Sequence, residues 1–131
     1  MVPSPQTSLQ VLDTLDMFAK YLARSDIPAA IALMDRNASF ISPDEGAILR
    51  ETRVIREYLE REKERFRNFE LWDLDVGAVG TVSWVNGYFS AGPGPTGNRS
   101  RGRISSVLKG TGHAWVIVHV HLSIVPASRP A

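Results

Sequence analysis

His119 and His121 stand one residue apart in the run Trp115-Val-Ile-Val-His-Val-His-Leu-Ser123. On a β-strand that spacing puts both imidazoles on one face. Two such rings can hold zinc, and a single imidazole titrates close enough to neutrality for acid–base work. The plainer reading makes them sheet histidines bonded to their neighbours. No carboxylate follows Asp75 to orient their second ring nitrogens, and cysteine is absent altogether. We therefore expect no metal and no cofactor, and keep His119 and His121 as the candidate acid–base residues. Asp16, Asp35, Asp44, Asp73 and Asp75 are the other possible acids. Nothing in their spacing separates one from the rest, and each reads as a cap or turn residue.

The alternate residues of the same run, Val116, Val118, Val120, Leu122 and Ile124, are uniformly apolar. If hairpin pairing preserves parity, Ser106 and Leu108 join them, and Trp84, Asn86 and Tyr88 continue the face. This predicts a concave surface that is either fully packed or opens into a pocket. In the second case Asn86, Tyr88 and Ser106 are its sparse polar points, with Trp84, Val120, Leu122 and Tyr58 as apolar lining. Arg99, Arg101 and Arg103 alternate on the other face, where solvated strand residues are the simple account.

These residues need elements to place them. Leu12, Leu15, Ala19 and Leu22 recur at helical spacing, predicting a helix from Ser8 capped by Thr7 or Ser8. Asp26 caps a second, short helix with Pro28 in its first turn. Ala38–Ile41 reads as a strand ended by the turn cluster Ser42-Pro43-Asp44-Glu45-Gly46, and Thr52–Asn68 as a third helix with a solvated outer face of mixed charge. From Phe69 the period becomes two, with strands at 69–77, 80–91, 99–109 and 113–125. Three helices followed by an antiparallel meander predict an α+β fold.

Charge and composition exclude several classes. The net charge is +1, yet all 14 acidic residues lie at or before Asp75, where 10 basic residues leave −4. The remaining chain carries five basic groups, too thin a face for nucleic acid. The uncharged stretch 110–128 contains three histidines, and 76–98 contains six glycines and two prolines, so neither reads as a membrane span. No signal peptide is visible, and a cytoplasmic address is the default. The 131 residues suit one domain, read as 8–126 between tails 1–7 and 127–131.

Several segments together resemble one superfamily. Asn37–Gly46 (NASFISPDEG) follows two short helices and precedes a long one, and the chain closes on Arg103-Ile-Ser-Ser-Val-Leu and the Trp-x-x-Val-His-x-His-x-Ser strand. This resembles the nuclear transport factor 2-like fold, in the SnoaL-like group that includes the association domain of calcium/calmodulin-dependent protein kinase II. The likeness covers about Ser8 to Pro126. It implies a curved sheet wrapped around three helices (order α-α-β-α-β-β-β-β), forming a cone with a pocket at its open end. Glu51 stands where a glycine is usual in that group.

Ketosteroid isomerases are more distant relatives. Their catalytic aspartate would fall on Ser42, their oxyanion tyrosine on Phe18, and their second oxyanion residue within 103–106, Arg-Ile-Ser-Ser. A serine is no base and a phenylalanine no donor, so steroid isomerisation is not expected. The kinase association domain's pocket arginines would correspond to Asn86, Ser106 and Leu122, and its histidine to about Ile55, so every cation is missing. Function is argued from the site rather than the fold. The expectation is a pocket for a largely apolar, weakly polar small molecule, with lyase, cyclase or isomerase chemistry open to it. A non-catalytic association module is the alternative. Ile117, Val85 and Phe89 would be bare on the outer sheet face. That predicts a homodimer through Arg103, Ile117, His119 and His121, weakening below about pH 6 as the histidines protonate.

Overall fold

The computed structural model describes residues 2–94 and 99–125. Helix α1 (Pro5–Ala23) begins three residues before the expected Ser8, because Ser4 caps it by accepting from the Thr7 N–H and Pro5 occupies the first turn without needing a donor. It buries Val11, Leu15, Phe18, Ala19 and Leu22. Asp26 caps α2 (Ile27–Ile31) as expected. Strand β1 (Met34–Ile41) starts four residues earlier than Ala38, and a short β2 (Leu49–Arg50) pairs back onto it. Helix α3 (Thr52–Arg61) opens at Glu51, which adopts φ 74°. The residue that replaces glycine thus still takes the left-handed backbone conformation glycine would supply.

The third helix is shorter than Thr52–Asn68. A turn of 3₁₀ helix (Lys63–Phe66) follows α3. Asn68 then turns left-handed at φ 55°, with its N–H on the Ala23 carbonyl at 3.2 Å. A tertiary hydrogen bond to the end of α1 overrides the helical pattern there.

Strands β3 (Glu70–Val79), β4 (Val82–Ala91), β5 (Ser100–Gly110) and β6 (Trp115–Ile124) form the meander. The six-stranded sheet runs β2-β1-β6-β5-β4-β3, antiparallel except for β1 beside β6, and curves around the three helices as an α+β cone. The expected tail at 127–131 lies outside the described residues.

Two registers reverse the expected faces. Odd residues of β4 oppose even residues of β5, as in Val85↔Ser106 and Phe89↔Gly102. Val85 and Phe89 therefore point into the core, and Trp84, Asn86 and Tyr88 point outward. Gly77 accommodates this, because the Trp84 indole lies where a Cβ would stand. In β6 a bulge intervenes: Val107 opposes His119 but Leu108 opposes Ile117, leaving Val118 over. Beyond the bulge Val120 and Leu122 face inward as expected, but before it Ile117 does so, fully buried. Ile117, Val85 and Phe89 thus belong to the core and not to an outer patch.

Candidate active-site pocket

An aromatic chain runs through the core. Phe40, Tyr58 and Phe66 meet at centroid distances of 6.0–6.4 Å, Phe66 reaches Phe69, and Phe69 stacks on Phe89 at 5.4 Å and 8°. Where this chain ends, a cavity of about 190 Å³ opens, lined on one side by Phe66, Phe89, Ala91 and Leu122. Ser42, Asp44 and Arg65 lie on its polar wall. Ser42 and Asp44 come from the turn after β1, and Arg65 from the 3₁₀ turn.

Three oxygens close on one another at that wall. Ser42 Oγ and the Tyr58 hydroxyl each donate to Asp44 Oδ1 at 2.6 Å, and the two hydroxyl oxygens are themselves 2.6 Å apart. The second carboxylate oxygen, Oδ2, lies 3.4 Å from Arg65 Nε. Burial disfavours the Asp44 anion, but the hydrogen bonds from Ser42 and Tyr58 and the Arg65 charge outweigh it and hold the carboxyl below its ordinary value. Burial first, then the bond to Asp44, pushes the Tyr58 phenol well above its ordinary value. Asp44 is therefore an ionised acceptor at neutral pH, and Tyr58 a protonated donor.

Of the residues expected at the site, Leu122 lines the cavity and Tyr58 joins its polar wall through Asp44. Val120 and Ser106 are buried in the core, and the Ser106 hydroxyl donates to the His119 carbonyl at 2.9 Å, so it is no free polar point. Trp84, Asn86 and Tyr88 lie on the opposite face of the sheet, where Ser105 donates to Asn86 at 2.9 Å and Tyr88 stacks on Trp72. His119 and His121 are also there. His119 Nδ1 lies 2.7 Å from Ser39 Oγ, and burial, with the neighbouring His121, lowers its pKa. These histidines do not reach the cavity. Among the described residues no cluster of three or more His, Asp or Glu side chains is arranged for a metal. Asp44 was one of five acidic candidates that spacing did not separate, and Arg65, Phe66, Phe89 and Ala91 are lining residues that the sequence did not mark. One signal for Asp44 was available, a carboxylate in the turn that leaves a core strand.

The family model for the SnoaL-like domain matches residues 11–128. The chain belongs to the SnoaL-like family. No curated protein sequence matches it. Solved structures do, at the level of fold. A cystatin-like protein of unknown function from Nostoc punctiforme superposes with a TM-score of 0.82 at 11% identity, covering 97% of each chain. A proposed dehydratase of the nuclear transport factor 2-like family from Streptomyces avermitilis gives 0.76 at 17% identity, over 94% of this chain and 100% of the other. A proposed calcium/calmodulin-dependent protein kinase II association domain from Xanthomonas campestris gives 0.77 at 15%, over 90% and 87%. No helix of this SnoaL-like chain is long and apolar enough to cross a membrane.

Proposed function

We propose that this SnoaL-like protein binds a small, largely apolar molecule in the cavity and that Asp44, held as an anion, is the general base acting on it. The observation that carries the reading is the convergence of Ser42 and Tyr58 on one oxygen of Asp44, at the polar wall of a cavity that Phe66, Phe89, Ala91 and Leu122 line on another side. A carboxylate with one oxygen pinned and the other turned to a cation is oriented for proton transfer. Dehydration and isomerisation both need such a group, and the Streptomyces structural neighbour bears the name of a dehydratase. Small cyclic ketones and alcohols would be screened for isomerisation, water loss or deuterium exchange. The expected result is turnover that falls about 10²–10⁴-fold in Asp44→Asn. Turnover indifferent to Asp44 would overturn the assignment. A cytoplasmic address is part of the proposal, to be checked by cell fractionation.

A second reading, association without catalysis, is favoured by one observation on the outer sheet face. Trp72 and Tyr88 stack there at 18° and 6.3 Å while 38% and 44% exposed. Aromatic pairs left this bare suit a contact with a second copy. The proposed homodimer interface then contains Arg103, His119 and His121 beside the aromatic pair. Sedimentation at micromolar concentration across pH 5–8 tests it: a monomer throughout removes the dimer, and a dimer insensitive to pH removes the histidines from its interface.

A further inference from the structure

The polar wall of the cavity holds an acceptor with room for a further hydrogen bond, and a guanidinium beside it. Both hydroxyls of the cluster fall on Asp44 Oδ1, which leaves Oδ2 with Arg65 Nε, 3.4 Å away, as its side-chain partner. Arg65 spends its Nε on Glu62 Oε1 at 2.7 Å and approaches Oδ2 at 3.4 Å with that same atom. Neither terminal nitrogen of Arg65 makes a hydrogen bond among the described residues. Arg65 and Asp44 both line the cavity, so a donor-bearing guanidinium and a carboxylate acceptor lie side by side on one wall, the pattern of a two-point contact.

Charge narrows the ligand further. Arg65 lies between Asp44 and Glu62, so an anion attracted by the guanidinium would also meet two carboxylates, and a cation at Asp44 Oδ2 would meet the guanidinium 3.4 Å away. A pure hydrocarbon would dry both groups without replacing their water. Size narrows it again, since about 190 Å³ lies below the roughly 300 Å³ at which pockets begin to hold drug-sized ligands.

Resting on the pocket reading above, we propose that the cavity selects a small uncharged ring compound whose polar edge is an H–N–C=O or H–O–C=C–C=O unit, a lactam or a vinylogous acid. Arg65 receives the carbonyl oxygen, Asp44 Oδ2 accepts the N–H or O–H, and Phe66, Phe89 and Leu122 pack on the ring.

Four one-ring probes separate the possibilities: 2-pyridone, N-methyl-2-pyridone, benzoate and toluene, titrated at millimolar concentration and followed by protein NMR. For the wild-type protein 2-pyridone is expected to bind at least tenfold more tightly than its N-methyl form or benzoate. Asp44→Asn should abolish the preference over the N-methyl form. Arg65→Gln should weaken both pyridones and leave toluene unchanged, with spectra of each variant confirming the fold. Benzoate or N-methyl-2-pyridone binding as well as 2-pyridone to the wild type overturns the proposal, without recourse to any variant. Toluene binding with no gain for 2-pyridone overturns it while leaving the pocket reading intact. No binding by any of the four overturns both.

Discussion

Tyr58 and Asp44 are 14 residues apart in the chain and 2.6 Å apart in the fold, the phenol donating to carboxylate oxygen Oδ1. Tyr58 comes from the buried face of α3 and Asp44 from the turn after β1, so the bond ties the helix to the sheet at the mouth of the cavity. Removing only the hydroxyl, in Tyr58→Phe, should cost about 1.5 kcal/mol, the worth of a hydrogen bond to a charged group. Urea unfolding at pH 7 measures it.

The same substitution should raise the Asp44 pKa toward its ordinary value. Because the folded value is depressed, Asp44 contributes stability that is fully present above about pH 4 and is lost as pH falls through the folded value. Tyr58→Phe should therefore flatten the acid-side fall in the urea midpoint between pH 5 and 2. An unchanged slope would remove Tyr58 as a cause of the depression.

Ala91 is 1% exposed and lines the cavity, so Ala91→Leu should place a larger side chain in the space. Toluene binding is expected to weaken at least tenfold, with a loss of stability of about 1–3 kcal/mol at most. Undiminished toluene binding would show that such ligands sit elsewhere.

Steroid isomerisation should be absent. Phe18 is buried and bears no donor, Ser42 is no base and spends its hydroxyl on Asp44, and the cavity of about 190 Å³ is too small for four fused rings. Turnover of an unsaturated ketosteroid, abolished at Ser42, would contradict this.

Burial, with the neighbouring His121, lowers the His119 pKa from its ordinary 6.5. The neutral ring is the form the fold prefers. Its contribution is complete above about pH 6.5 and lost as pH falls through the folded value. His119→Gln should remove that part of the stability change between pH 7 and 5, read from thermal midpoints. A wild-type slope in the variant would assign it to another group.

Periodicity was enough for the presence of the three helices, β1, the four-strand meander and the α+β class, though not for β2 or the end of α3, because an amphipathic element must bury its apolar side wherever it lies. The capping Asp26 and the turn cluster after Ile41 were legible for the same local reason. The faces of β4 and β6 were not. Alternation says which residues share a side, but the β4–β5 register and the bulge at Val118 decide which side meets the helices, and both depend on strands pairing across loops. One residue of register sent Trp84, Asn86 and Tyr88 outside and brought Phe89 in. Asp44 looked like any turn carboxylate until the fold carried Tyr58 and Arg65 to it. Proton transfer and recognition act over about 3 Å, and only the tertiary structure sets distances of that size between residues so far apart in the chain.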